Sequence, residues 1–122
     1  MRILPVKMSR KWIVNHRDRA KQVICSACGK STRILTRADG QEVVNLHVTH
    51  ILDSKRHYHK KCNEVYYILE GAGKMELDGE TVELTPGTTV YIPAGVRHRG
   101  WGDFKTIVVG TPAFEEADEY FD

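Results

Sequence analysis

The stretch HYHKKCNEVYYILEG, residues 57–71, decides the fold together with GTTVYIPAGVRH, residues 87–98. In an extended chain successive side chains alternate between two faces, so His57 and His59 project from the same face. Glu64 follows five positions later, after a lysine-rich turn that resets the alternation. The first stretch therefore predicts two imidazoles and one carboxylate facing one interior.

Four side chains form a candidate metal site: His57, His59, Glu64 and His98. Imidazole and carboxylate are the ligand types that bind first-row transition metals. Taken singly, each histidine is more often an ordinary core or surface residue, but the four in this spacing favour a site. We expect one divalent ion, Fe, Mn, Ni, Cu or Zn, with further coordination positions left open for a substrate.

Size and charge narrow the class of protein. The 122 residues predict one domain, and 41% hydrophobic residues suffice for a globular core. Eighteen basic and 16 acidic residues leave a net charge of +2, which gives no reason to expect nucleic acid or membrane as a partner. There is no apolar run of the roughly 20 residues that a membrane helix needs. No secretory signal opens the sequence, so a cytoplasmic location is expected.

The three cysteines are an odd number, which disfavours a disulfide framework and predicts reduced thiols. Cys25 and Cys28 form a single C-x-x-C pair. A structural zinc site needs four ligands and no second pair exists, although a site shared between two copies stays open. Cys62 lies two residues before Glu64, close to the candidate metal site.

Short apolar runs separated by turn residues indicate an all-β sandwich or barrel. Asp39-Gly40 and Asp78-Gly79 are typical hairpin turns, because the type I′ turn requires positive φ at both central residues. Eight runs are predicted as strands, namely Thr32–Thr36, Val43–Leu52, Val65–Leu69, Lys74–Leu77, Thr81–Leu84, Thr88–Ile92, Val96–Trp101 and Phe104–Gly110. Gly71-Ala72-Gly73 and Gly102-Asp103 are expected as turns between them.

The two ends of the chain lack this regularity. Residues 1–30 are predicted to be an N-terminal arm that packs on or exchanges with a barrel formed by residues 31–122, and residues 12–14 suggest a short strand in it. The C-terminal tail is acidic. A short helical turn would place three of its residues on one apolar face, and a disordered tail is the alternative; these residues are Phe114, Ala117 and Phe121.

The two stretches resemble the two motifs of the cupin superfamily over about residues 31–110. The first motif is His-x-His, four residues, Glu, six residues and Gly; the second is Gly, five residues, Pro-x-Gly, two residues and His. The Asn that often ends the second motif is replaced by Gly102, which is not a ligand position. The resemblance implies a double-stranded β-helix, or jelly-roll barrel, of the small single-domain kind, with the four ligands of the family retained.

The resemblance also implies function. Family members with this ligand set include dioxygenases, decarboxylases and isomerases, and a dioxygenase-like enzyme acting on a small organic substrate is the first expectation. Glu64 is then a ligand that can also accept a proton. Other cupin barrels hold a small effector without converting it, so a binding or sensor module is the alternative. Cupins of this size are usually homodimers, and the N-terminal arm would help to form such a dimer.

Residues predicted to line the substrate pocket are His47, Tyr66, Cys62 and Trp101. Tyr66 shares the face of Glu64 by alternation, and His47 shares a polar face with Asn45 and Thr49. A core tyrosine and a solvated histidine are the plain alternatives. Six basic residues near the ligands form either a rim that attracts an anionic substrate or a solvated surface; they are Lys55, Arg56, Lys60, Lys61, Arg97 and Arg99.

Overall fold

The computed structural model describes residues 11–25 and 27–122. Within these residues the protein has no α-helix and no helical segment long and apolar enough to cross a membrane. The seven strands are β1 (Lys21–Cys25), β2 (Gly29–Leu35), β3 (Asn45–Asp53), β4 (Asn63–Leu77), β5 (Glu80–Leu84), β6 (Thr89–Ile92) and β7 (His98–Thr111). Three short 3-10 segments precede, connect or follow them, at Arg17–Arg19, Arg37–Asp39 and Glu116–Asp118 respectively. The prediction of an all-β fold is confirmed.

The strands form one antiparallel sheet in the order β1-β2-β3-β7-β4-β5, with β6 paired to β4. The sheet curls around a core of buried apolar side chains. Period-2 alternation drives this burial, because alternate residues face inward along β3 and along both ends of β4 and β7. Its most completely buried apolar side chains include Ile51, Ile68, Met75, Leu84 and Phe104.

Four of the eight predicted runs merge into two long strands, which corrects the expected turns at Gly71-Ala72-Gly73 and Gly102-Asp103. Gly73 lies opposite Gly102 in the β4–β7 ladder, and a register shift precedes them between Ile68 and Glu70. A Cβ on Gly102 would lie 2.6 Å from the Cα of Gly73, and its φ of +126° disfavours any other residue. The glycines therefore bend a continuous ribbon instead of ending it, which also explains the absence of the usual Asn at position 102.

This bend brings the two ends of the ribbon together. The β4–β7 ladder runs from Asn63 opposite Thr111 to Leu77 opposite His98. Drawn out straight, such a ladder would span about 45 Å. Glu64 starts one end and His98 starts the other, yet their side chains meet inside the barrel.

The N-terminal region joins the sheet through β1 and β2. The boundary expected between residues 30 and 31 falls inside β2. The expected strand at residues 12–14 is wrong, since this segment is not a strand and pairs with none of the strands that the structure describes. Residues 1–10 of the predicted arm lie outside the described residues. Whether the arm exchanges between copies stays a prediction.

The C-terminal tail folds back on the barrel, but not on the predicted apolar face. Ala117 and Phe121 are exposed, and Asp118 is buried instead. Tyr120 forms an isolated antiparallel bridge with Tyr58, and their rings stack with centroids 5.4 Å apart. A polar anchor, described below, therefore holds this tail.

Candidate metal centre

The four predicted ligands come together inside the barrel. His57 and His98 are joined by reciprocal backbone hydrogen bonds of 3.1 and 2.9 Å. His59 lies two residues further along the same extended segment, and Glu64 enters from the start of β4. All four side chains are buried, and each offers one ligand atom within 4.8 Å of the others.

Each histidine donates its Nδ1–H to a backbone carbonyl, which fixes its tautomer. The acceptors are Lys55 O at 2.8 Å from His57, Asp118 O at 2.7 Å from His59, and Val96 O at 3.0 Å from His98. Because a carbonyl can only accept, each Nδ1 carries a proton, so a ring in its neutral form has its lone pair on Nε2. This arrangement is typical of metal-binding histidines.

The Nε2 atoms of His59 and His98 lie 3.2 and 3.3 Å from Oε1 of Glu64. Within residues 11–25 and 27–122, Glu64 Oε1 and His98 Nε2 are buried without a hydrogen-bond partner. With both rings neutral, their lone pairs would face a carboxylate oxygen, an arrangement that requires a cation among them, either a metal ion or a proton on His59. The donor set therefore fits a metal ion, and the His/Glu group can bind one.

The pKa shifts show how strongly the groups interact. Burial, with the neighbouring His98, lowers the pKa of His57 to about 4. Burial opposes the charged form of His59, but the Glu64 carboxylate outweighs it and raises the pKa of His59 to about 8. Burial would raise the pKa of Glu64, yet His59 and His98 hold it below its usual value. Glu64 is therefore charged at neutral pH, as a metal ligand must be.

Asp118 supports the site and was missed by sequence analysis. Its carboxylate accepts hydrogen bonds from the backbone N–H groups of Lys60 (2.9 Å), Lys61 (3.0 Å) and Cys62 (3.0 Å). Its carbonyl is the acceptor that orients His59. The tail thus fixes the turn between His59 and Glu64. No spacing distinguishes Asp118 from the other acidic residues of the tail, so the sequence carried no signal for this role.

A cavity of about 40 Å³ opens beside the ligands, enough for a few water molecules. Of the predicted pocket residues, His47 and Tyr66 line it. Burial and the charge of Arg33 lower the pKa of His47 to about 4, and burial raises the pKa of Tyr66 well above its usual value. The remaining wall is formed by Cys25, Cys28, Arg33, Asn45, Thr49, Val108, Phe114 and Glu119, together with His57, His59 and Glu64.

Cys62 and Trp101 are placed elsewhere. Cys62 is buried beside the site without lining the cavity, and burial together with the charge of Glu64 raises the pKa of its thiol to about 12. Trp101 lies in β7, where the Arg99 guanidinium sits over its ring at 5.0 Å. Neither side chain is in position to contact a ligand in this cavity.

The expectation of reduced thiols at Cys25 and Cys28 is wrong, because the two form a disulfide. The β1–β2 hairpin explains the bond. Its turn brings the two Cα atoms to 5.2 Å, within the range that a disulfide spans. The bonded sulfurs carry no thiolate for a shared zinc site, and the pair lines the cavity wall instead.

Several of the basic residues near the ligands have acidic or aromatic neighbours. Arg97 lies over the ring of Tyr58 at 3.7 Å and pairs with Asp122. Arg99 pairs with Asp53 at 2.7 Å. The cation that lines the cavity, Arg33, was not among the residues that the sequence singled out.

Comparison with known proteins identifies the family. The cupin domain family matches residues 45–109, more than half of the chain. Among curated relatives, an uncharacterised protein of Methanocaldococcus jannaschii is 49% identical over 43 residues, which cover 35% of this chain and 34% of that protein. Quercetin 2,3-dioxygenase of Bacillus subtilis is 40% identical over 42 residues, 34% of this chain and 12% of the enzyme. The chain thus matches about a third or less of either relative.

Solved structures support the same assignment over nearly the whole chain. A protein from Planctomyces limnophilus is 30% identical with a TM-score of 0.82, covering 94% of this chain and 100% of that one. The nucleoside dehydratase Pac13 of Streptomyces has a TM-score of 0.78 at 15% identity, with 90% of each chain covered, and shares the fold. The predicted jelly-roll barrel is confirmed, and the chain belongs to the cupin family.

Proposed function

We propose that this protein is a metal-dependent enzyme that acts on a small organic substrate. The ligands would be His57, His59, Glu64 and His98. The observation that carries the proposal is the convergence of three histidines on a buried carboxylate, with Glu64 Oε1 and His98 Nε2 lacking a hydrogen-bond partner among the described residues. When bound, the ion supplies Lewis-acid or oxygen-activating chemistry.

Three side chains of the cavity have separate roles beside the ion. Glu64, whose pKa is held below its usual value, stays charged and acts mainly as a metal ligand. Accepting a proton is its secondary role. Tyr66 keeps its phenol proton and can donate it in a hydrogen bond to a substrate oxygen. His47 is neutral at pH 7 and offers a ring nitrogen in the wall of the same cavity. The buried position of the cluster limits access of bulk water to the reacting group.

A dioxygenase-like reaction is the first candidate. Its support is the local match to quercetin 2,3-dioxygenase, which covers this chain only in part. Isomerase or decarboxylase chemistry would use the same residues without consuming oxygen. An oxygen electrode distinguishes them: substrate-dependent O₂ uptake by the metal-loaded protein supports the dioxygenase, and turnover without uptake excludes it.

The metal assignment is tested by elemental analysis of the purified protein after loading with each candidate ion. We expect about one ion per chain, and a large loss of metal in His98→Ala. His50→Ala is the matched control, because His50 lies outside the cluster and pairs with Asp103 at 2.7 Å. Unchanged metal content in His98→Ala would contradict the assignment.

Catalysis is tested separately from binding. The loaded protein is incubated with a pool of small metabolites, and both the consumed compounds and the thermal shift are measured. Consumption that is lost in His57→Ala supports an enzyme. A thermal shift with no consumed compound would overturn the enzymatic proposal in favour of a binding or sensor module.

We also propose that the chain forms a homodimer through its N-terminal region. β1 lies at one end of the strand order, and within residues 11–25 and 27–122 no strand pairs with its outer edge, which a second copy could therefore extend. Ile24 in β1 is 86% exposed, and Trp12, which precedes it, is 79% exposed. Light scattering should give a dimer mass that falls in Ile24→Lys but not in the control Val43→Lys. A monomeric wild-type protein would contradict this proposal.

A further inference from the structure

Arg33 brings a cation to the wall of the metal cavity. It lies in β2 directly opposite His47 in β3, on the inner face of the sheet. Its side chain is only 18% exposed and lines the same cavity as Glu64. A buried guanidinium has lost most of its hydration, so it requires hydrogen-bond acceptors from its surroundings.

The protein satisfies Arg33 only in part. Within residues 11–25 and 27–122, its Nε is buried and has no hydrogen-bond partner. Its ion pair is a 3.6 Å contact from Nη1 to Glu116, whose side chain is 84% exposed. On another side the guanidinium lies 5.9 Å from the ring of Phe114. The Nη1 side of the guanidinium is therefore paired with a solvent-exposed carboxylate, and the Nε edge remains without an acceptor among the described residues.

The other charged groups of the cavity do not supply that acceptor. Glu64 faces the histidines, and in the proposed function its charge is taken by the ion. Glu119 also lines the cavity, where burial raises its pKa and the charges of His59 and Arg33 oppose that rise, but among the described residues no hydrogen bond joins it to Arg33. His47 adds no negative charge. With a divalent cation bound, the cavity therefore carries excess positive charge beside an unfilled guanidinium edge.

We propose that Arg33 binds a carboxylate of the substrate, so that the cavity selects small organic acids. This inference rests on the proposed function, because it places the other end of the acid at the metal. A guanidinium edge matches a carboxylate with two parallel N–H···O bonds. The small cavity and the single arginine favour a compact monoanionic group over a phosphate.

Cobalt(II)-loaded protein provides the test, since its visible absorption responds to ligands at the ion. The spectrum is titrated with dicarboxylates of two to about five carbons and with the mono-amide of each acid, which keeps one carboxylate for the metal. For the best-fitting length we expect the diacid to bind about 10- to 100-fold more tightly than its mono-amide. Arg33→Gln should reduce this preference to about twofold or less, while metal content stays unchanged.

Arg17→Gln is the matched control, because Arg17 is an exposed arginine on the 3-10 segment before β1. It should keep the full preference, and Arg33→Lys should keep part of it. A preference retained in Arg33→Gln would overturn the proposal. So would tighter, Arg33-dependent binding of inorganic phosphate than of any carboxylate, or equal affinity of diacid and mono-amide in the wild type.

Thermal shifts of the metal-free protein with the same acids separate this inference from the metal assignment. If the protein takes up no cobalt, the proposed metal centre fails. An acid-induced shift that disappears in Arg33→Gln would then still support the carboxylate site, and the absence of such a shift would overturn it.

Discussion

The central region, residues 45–111, and the flanking segments, residues 11–35 and 112–122, contribute different parts of the site. The central strands and their connections supply all four candidate ligands, at positions that the family motifs mark. The flanks supply Arg33, Phe114 and Glu119 in the cavity wall, and Asp118 behind His59. The metal group and the wall that faces a substrate are thus encoded in separate parts of the chain. The family match, residues 45–109, includes the ligand group and leaves out the flanking part of the wall.

The largest effect is expected from a substitution at the bend of the β4–β7 ribbon, in the central region. Gly71 has φ +85°, and a Cβ there would overlap Asp103 O and lie 2.7 Å from Phe104 Cα. Gly71→Ala should lower the free energy of unfolding by about 3 kcal/mol, through left-handed strain plus the clash, and should weaken metal binding. Urea denaturation of the metal-free protein measures the first and elemental analysis the second.

Gly79→Ala is the control for this substitution. Gly79 has φ +91°, and a Cβ at this position would meet no atom within 4 Å beyond its chain neighbours. Only the conformational strain therefore remains, at about 1–2 kcal/mol. Equal losses in the two variants would show that the close approach at the ribbon bend contributes nothing.

An intermediate effect is expected from a substitution in a flanking segment that supports the central region. Asp118→Asn removes a buried charge that accepts three backbone N–H groups, so we expect about 2 kcal/mol lower stability. Metal affinity should fall about 10- to 100-fold, because the turn that positions His59 and Glu64 loosens. Chelator competition measures the affinity. Glu116→Gln, at an exposed tail position, should leave it unchanged; an equal loss there would contradict a specific role for Asp118.

The smallest effect concerns pH and the cavity wall. The pKa of His47 is about 4 in the folded protein and near 6.5 when unfolded, so the unfolded chain binds a proton that the folded chain rejects. The stability due to neutral His47 is present above pH 6.5 and lost as the pH falls towards 4. Between pH 7 and 6 the wild type should lose roughly 0.7 kcal/mol more than His47→Gln, measured by urea unfolding of metal-free protein. Parallel pH profiles would contradict a buried neutral His47.

Sequence reasoning predicted the all-β class and located the ligand group, because the ligands follow a local spacing that strand alternation makes visible. The prediction failed where the same residue type is typical of two different local structures. The glycines at 71, 73 and 102 are typical of turns, but here they allow two strands to bend in close contact. Only the partner strand distinguishes these cases, and a single stretch of sequence does not contain it.

The remaining site residues could not be found because their contacts leave no periodic pattern. Asp118 reaches the 60–62 turn across more than 50 residues, and Arg33 lies in a strand whose neighbours gave no reason to select it. The disulfide was missed because an odd cysteine count argued against any bond, whereas the third thiol is simply buried and free. The contribution of the flanking segments to the site follows from where they fold and is not visible in their composition.

The curled β4–β7 ribbon gives metal binding a further consequence. Since Glu64 and His98 start its opposite ends, an ion held between them is a non-covalent cross-link that closes a large loop of paired strands. Release of the ion removes that restraint from both ends in one step. Amide hydrogen exchange should therefore accelerate together at residues 63–66 and 98–101, which are remote along the ladder, while the bend between them keeps its protection.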